Sequence, residues 1–169
     1  MPLMLKLPIT AAMVAMMILP AHAKMVTITP TQIGEIFCIG SLGNDMVPVE
    51  ALLTPEFSQA ISDAWNKNAR IEAAAPGEKP PLGDGLPWRS WTDYADSCEV
   101  TDALVNGDEA RVGLWYGFAA SPEANYGNTL ILLRTAAEAG APAVWRIDNI
   151  DFAADGGTMR QSLFDAFMN

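Results

Sequence analysis

The sequence predicts an α+β fold: N-terminal helices packed on one face of a curved antiparallel sheet, followed by a short C-terminal helix. Two observations carry that reading. Apolar residues recur with a helical period before residue 76 and with a period of two after residue 98, which places helices first and strands second. Asn106-Gly107 then lies between two alternating segments, the signal of a tight hairpin and hence of antiparallel neighbours.

Residues 1–23 read as a cleavable signal peptide and residues 24–169 as a single α+β domain. Lys6 supplies the positive start, and Ile9 to Leu19 form an apolar run, shorter than the roughly 20 residues a bilayer span needs. Pro20 breaks that run, and Ala21-His22-Ala23 gives a small-x-small cleavage site. The expected localisation is therefore the periplasm or the outside of the cell, with no membrane anchor in the mature form.

The first helix opens at Thr29-Pro30-Thr31-Gln32, where Thr29 can cap, Pro30 suits the first helical position and Gln32 completes a capping box. Ile33, Ile36 and Phe37 mark its apolar face, and Gly40 to Gly43 end it. A second helix follows Thr54-Pro55-Glu56, with Phe57, Ala60, Ile61, Ala64 and Trp65 at i, i+3, i+4, i+7 and i+8. Residues 76–87 hold four prolines and three glycines and read as a long crossing within the domain. Beyond it, Glu99 to Val105 and Glu109 to Phe118 form the hairpin, with Asn-Gly favouring a type I′ turn. Val112, Leu114, Tyr116 and Phe118 share one face of the second strand; Arg111, Gly113, Trp115 and Gly117 share the other. Further strands are expected at Thr129–Thr135 and Val144–Phe152, separated by the turn Gly140-Ala141-Pro142. Thr158-Met159-Arg160-Gln161 starts a last helix through a second capping box, with Leu163, Phe164 and Phe167 on its apolar face.

The chain carries 20 acidic and 10 basic residues, a formal charge of −10. No Lys/Arg cluster stands out, which argues against a nucleic-acid role. Two cysteines, Cys38 and Cys98, read as one disulfide in an exported chain. Closing about 60 residues would stabilise the fold by roughly 4 kcal/mol in the chain-entropy model.

The order of elements, with Val105-Asn106-Gly107-Asp108-Glu109-Ala110-Arg111-Val112 and Trp145-Arg146-Ile147-Asp148-Asn149-Ile150, resembles the secreted bacterial branch of the nuclear-transport-factor-like cone fold. That cystatin-like superfamily also holds ketosteroid isomerase and scytalone dehydratase, and the chain resembles within it a family of small exported domains of unassigned function. The resemblance spans residues 29–167 and rests on short, mostly structural motifs, so it bears on fold more than on function. It implies a cone in which sheet and helices enclose a pocket, used by some members for catalysis and by others for binding. The isomerase pattern of an Asp base with a Tyr and a second acid has no local match here, although Tyr94, Tyr116, Asp93 and Asp148 supply the residue types. The dehydratase pattern relies on histidine, from which this chain departs.

The one histidine, His22, falls in the expected leader. Its removal excludes a Ser-His-Asp triad, a Cys-His pair, a His-ligated metal and His general-base catalysis. No glycine-rich phosphate loop is present, and Gly40-Ser41-Leu42-Gly43 lacks the spacing of a nucleophile elbow. Asp148, Asp151 and Asp155, and Asp84, Asp93 and Asp96, are close in sequence without calcium-loop spacing, and read as solvated or turn-forming. No metal and no cofactor is expected.

Pocket chemistry is the better candidate. Trp88, Trp91 and Tyr94 fall in one stretch, Leu86-Pro87-Trp88-Arg89-Ser90-Trp91-Thr92-Asp93-Tyr94, and would lie near the cone opening. Arg111 and Trp115 share a strand face, Arg134 ends the next strand, and Trp145 starts the last one beside Arg146; in a cone several of these would face inward or rim the mouth. Aromatics with a few fixed charges suit a small amphipathic ligand or a protein partner, and the acidic surface suits a basic partner. The plainer reading makes the tryptophans core and pairs the arginines with surface carboxylates. The expectation is an exported, non-catalytic binding or protein-interaction domain. The alternative is a small-molecule enzyme using an Asp/Tyr acid-base pair in the cone pocket.

Overall fold

The structure, a computed structural model, describes residues 27–91, 93–136, 140–152 and 156–168. The leader expected over residues 1–23, its cleavage site and Asp155 lie outside these.

Helix α1, Pro30–Gly43, begins as the sequence predicts: Thr29 accepts from the Gln32 amide, and the Gln32 side chain returns to the Thr29 amide to complete the box. It ends at Asn44, which takes a left-handed conformation (φ 52°, ψ 32°) and donates its N–H to Gly40 O. Asparagine is among the few residues that tolerate this geometry. A single turn, α2 (Val47–Glu50), and then α3 (Pro55–Ala74) follow, α3 capped by Thr54 Oγ1 accepting from the Phe57 amide at 3.1 Å. Phe57, Ile61 and Ala64 are buried along α3 as the period predicts, but Trp65 is 40% exposed. The next inward position is instead Asn68, whose Oδ1 accepts from the Leu82 amide at 2.7 Å. With Leu82 buried beside it, this contact seats the Pro/Gly-rich crossing on α3.

Five strands follow in the spatial order β1-β2-β3-β4-β5, all antiparallel: β1 Ser97–Asn106, β2 Glu109–Gly117, β3 Tyr126–Thr135, β4 Val144–Phe152 and β5 Gly157–Thr158. In the β1–β2 hairpin Asn106 pairs with Glu109, leaving Gly107 and Asp108 at the corner. Gly107 has φ 62° while Asp108 lies outside the positive-φ region. That is the pattern of a type II′ turn rather than the expected type I′, because the register sets glycine at the first corner position. β3 starts three residues earlier than predicted, at Tyr126. Register shifts at Val100/Asp102 and Ile131/Leu132 mark two bulges, which bend and twist a sheet.

Helix α4, Met159–Asp165, is capped by Thr158 Oγ1 accepting from the Gln161 amide, but Gln161 bonds Asp165 instead of closing a second box. Met159 and Leu163 are buried; Phe164 is 60% exposed.

The helices pack on one face of the sheet, where Ile33 and Phe37 meet Val112, Leu114, Tyr116, Leu130, Ile147 and Ile150 in a shared core. Gly34 lets α1 approach closely, since a Cβ there would lie 2.8 Å from both Val100 Cγ2 and Val112 Cγ1. Cys38 and Cys98 form the expected disulfide, Cα–Cα 5.3 Å, tying α1 to β1. The free edge of β4 is covered at two places. Leu53 forms a parallel bridge with Ile147, and β5 pairs with Asp151 and Phe152, which limits exposed ladder groups. No helix among the described residues is long and apolar enough to cross a membrane.

Candidate functional site

The end of α1 and the crossing that precedes β1 bound a cleft of about 670 Å³. One wall is Ser41, Asn44 and Met46, positioned by the left-handed stop of the helix; the other is the run from Asp84 to Arg89 together with Trp91 and Tyr94. The chain enters this wall through Gly85 at φ 97°, a conformation that favours glycine, and Pro87 stiffens the next step. Two further depressions, of about 500 and 670 Å³, run along the solvent side of α3 and past its end, and neither has an aromatic wall.

The described residues of the Trp88–Tyr94 stretch make distinct contacts. Trp88 is half-buried and meets Phe37 edge to face, ring centroids 6.4 Å apart, so it anchors the loop to the core. Arg89 donates from Nη1 to the Ser41 carbonyl at 3.2 Å and stacks over Tyr94, Cζ 4.8 Å from the ring centroid. Ser90 Oγ meets the amide of buried Asn128 at 2.8 Å, which holds the loop against β3. Trp91 donates its indole N–H to Asp93 at 3.1 Å. Trp91 and Tyr94 stay 53% and 58% exposed at the cleft.

Beneath the wall lies a polar chain. Tyr116 OH and Ser41 Oγ are 3.1 Å apart, and Ser41 Oγ also reaches the Cys38 carbonyl at 3.3 Å. Ser41 donates its single hydroxyl proton to the Cys38 carbonyl, so the Tyr116 hydroxyl donates to Ser41; burial pushes the Tyr116 phenol well above its usual range. Tyr126 stacks on Tyr116 at 4.8 Å and 16°. Burial pushes its phenol up to about 12, partly opposed by Arg89, and its hydroxyl has no partner among the described residues.

Of the residues singled out from sequence, Trp88, Trp91 and Tyr94 come together in this cleft. The other four do not join them. Arg111 and Trp115 lie on the sheet face opposite the helices, Trp115 41% exposed and Arg111 paired with Asp151 at 2.8 Å across β3. They point outward because Val112, Leu114 and Tyr116 take the inward positions of β2. Arg134 is exposed at the end of β3, and Trp145 is half-buried against the core. For Arg111 and Trp145 the plainer sequence reading is the one the structure bears out.

The candidate Asp/Tyr pairs are not hydrogen-bonded to each other among the described residues. Asp148 accepts from Thr54 Oγ1 at 2.8 Å and pairs with Arg160 at 2.7 Å. Asp96 accepts from the Ala119 amide, and Asp84 pairs with Lys79. No group of three or more acidic or cysteine side chains among the described residues is arranged to hold a metal ion.

The residue that sequence reasoning passed over is Arg89. It lies between Trp88 and Trp91 in sequence and stacks on Tyr94, and the signal available was its position within an aromatic-rich stretch. Comparison of the chain with protein-family models, with curated proteins and with solved structures finds no match in any of the three.

Proposed function

We propose that the chain is an exported, non-catalytic binding domain whose site is the cleft between the end of α1 and residues 84–94, and that it takes a small amphipathic ligand or an apolar segment of a protein partner. The observation that carries this is the convergence of Trp88, Arg89, Trp91 and Tyr94 on one cleft of about 670 Å³, with Trp91 and Tyr94 more than half exposed. A cleft of this size with aromatic walls and a few charged groups, Arg89 and Asp84, is of the kind that holds small ligands. Exposed indole and phenol rings contribute little to folding; they gain only when something covers them, at about 25 cal/mol per Å² of apolar surface removed from water. The proposal keeps the nuclear-transport-factor-like cone as its fold, since helices on one face of a bulged antiparallel sheet agree with it.

The experiment is native mass spectrometry of the protein purified from the periplasm of its own host without reductant. The expected result is a chain beginning at Lys24 that carries a small molecule or a partner. Trp91→Ala and Tyr94→Ala should each lose that mass. An intact leader would overturn export, and retention unchanged in both variants would move the site away from the cleft.

A further inference from the structure

We infer that the cleft recognises a carboxylate carried on an apolar or aromatic body, and that Arg89 is the residue that binds it. The inference rests on the cleft being the binding site and specifies the chemistry it takes.

In a chain with 20 acidic and 10 basic residues, two half-buried arginines, Arg89 and Arg146, form no ion pair among the described residues. Arg146 donates to the Ala51 and Leu53 carbonyls, whereas Arg89 lines the cleft. Arg111 holds Asp151 at 2.8 Å, Arg160 holds Asp148 at 2.7 Å, and Lys79 holds Asp84. Arg89 forms no ion pair among the described residues, and only its Nη1 has a protein acceptor, the Ser41 carbonyl. The nitrogens Nε and Nη2 form the opposite fork of the guanidinium, which matches the two oxygens of a carboxylate. Ser41 on one side and the Tyr94 ring on the other fix the plane of that fork, so little orientation is lost on binding.

The neighbouring groups decide the sign of the ligand. Asp93 accepts from the Trp91 indole and Asp84 from Lys79, so neither carboxylate turns to Arg89. A cationic ligand would face the Arg89 charge and compete for the Tyr94 ring that Arg89 already covers. The carbonyl end of α1 disfavours an anion, but Arg89 caps it at Ser41. The net charge of −10 also opposes an anion; beyond about 8 Å, however, that field is screened at physiological ionic strength, whereas a carboxylate on Arg89 is in contact. A phosphate dianion would call for a second cation, and Arg89 is the only basic residue lining the cleft among the described residues. Trp88 and Trp91 supply the walls for the apolar body.

A free small acid and the C-terminal residue of a peptide share this chemistry. The test is calorimetric titration of the oxidised protein with 4-phenylbutyrate against 4-phenylbutyramide, and with N-acetyl-Gly-Gly-Phe against its C-terminal amide. Each acid is expected to bind at least tenfold more tightly than its amide. Arg89→Gln should abolish that preference, and Arg89→Lys should restore part of it. Tighter binding of the peptide acid assigns the carboxylate to a chain terminus, and tighter binding of phenylbutyrate to a free acid; either supports the inference. Equal binding of acid and amide, still weakened by Trp91→Ala, overturns the carboxylate but leaves the cleft. If none of the four binds and the indole N–H signals of Trp88 and Trp91 do not shift, both the inference and the cleft fail. Should Arg89→Gln not fold, the acid-against-amide comparison in the unaltered protein decides alone.

Discussion

Tyr116 and Tyr126 stack face to face under the cleft, yet only Tyr116 finds a hydrogen-bond partner, Ser41. A buried hydroxyl left unpaired costs about 1–3 kcal/mol, while a typical bond contributes about 1 kcal/mol net. Tyr126→Phe is therefore expected to stabilise the fold by about 1 kcal/mol and Tyr116→Phe to destabilise it by a similar amount, read from urea denaturation. A destabilised Tyr126→Phe would show that the hydroxyl has found a partner such as water. The pH dependence follows from the same burial. With its pKa raised from 10.0 to about 12, Tyr126 favours the fold while neutral. That contribution is complete below pH 10 and is lost as pH rises through the folded value. Between about pH 9 and pH 12 the unaltered protein should lose about 2 kcal/mol more than Tyr126→Phe, and an equal loss in both would remove Tyr126 as the cause. At this scale the sequence was only partly legible. Trp88, Trp91 and Tyr94 announced themselves by type and proximity. Arg89 did not, because which arginine comes to line a cleft without an acidic partner depends on how the chain folds around it.

Among the elements, α1 shows how a tertiary contact outweighs local preference. Glycine inside a helix costs about 1 kcal/mol relative to alanine, so Gly34→Ala should help on propensity alone. The added methyl, however, would stand 2.8 Å from Val100 and Val112, β-branched side chains with few alternative rotamers. Overpacking of this kind costs about 1–3 kcal/mol. Gly34→Ala is expected to lower stability by about 1 kcal/mol or more in urea, with α1 pushed off the sheet. Gly43 in the same helix has nothing within 4 Å of such a Cβ, so Gly43→Ala serves as the control and should be neutral or slightly stabilising. If both substitutions behave alike, the close approach of α1 is wrong. The three helix starts at Thr29, Thr54 and Thr158 were legible because a cap is settled within four residues. α2 and β5 were not, since four and two residues are too short to show a period; nor was the Leu53–Ile147 bridge, whose partners are distant in sequence, and the Gly107 corner was misread because turn type follows strand register.

Across the whole molecule, the disulfide joins the halves that sequence periodicity separates, the helical segment before residue 76 and the sheet after residue 97. The class was legible because the change of period is a bulk property of the chain. Which sheet face is covered was not, and so Arg111, Trp115, Arg134 and Trp145 could not be sorted from the cleft residues in advance. The Cys38–Cys98 link spans 60 residues, and holding a loop of that length closed in the unfolded chain stabilises the native state by about 4 kcal/mol. Total stabilities of single domains are about 5–15 kcal/mol, so this one bond supplies a large share. Cys38→Ala/Cys98→Ala should lower the Tm by roughly 10 °C, taking about 2–4 °C per kcal/mol for a domain of this size. Cleft binding should weaken with it, because Ser41 follows Cys38 by one helical turn and Tyr94 precedes Cys98 by four residues, so the bond clamps both walls. Thermal denaturation with and without reductant, alongside titration of a cleft ligand, measures both effects. A Tm within about 2 °C of the oxidised protein, in a sample whose mass shows the thiols had been paired, would mean that the unfolded chain already keeps these segments together.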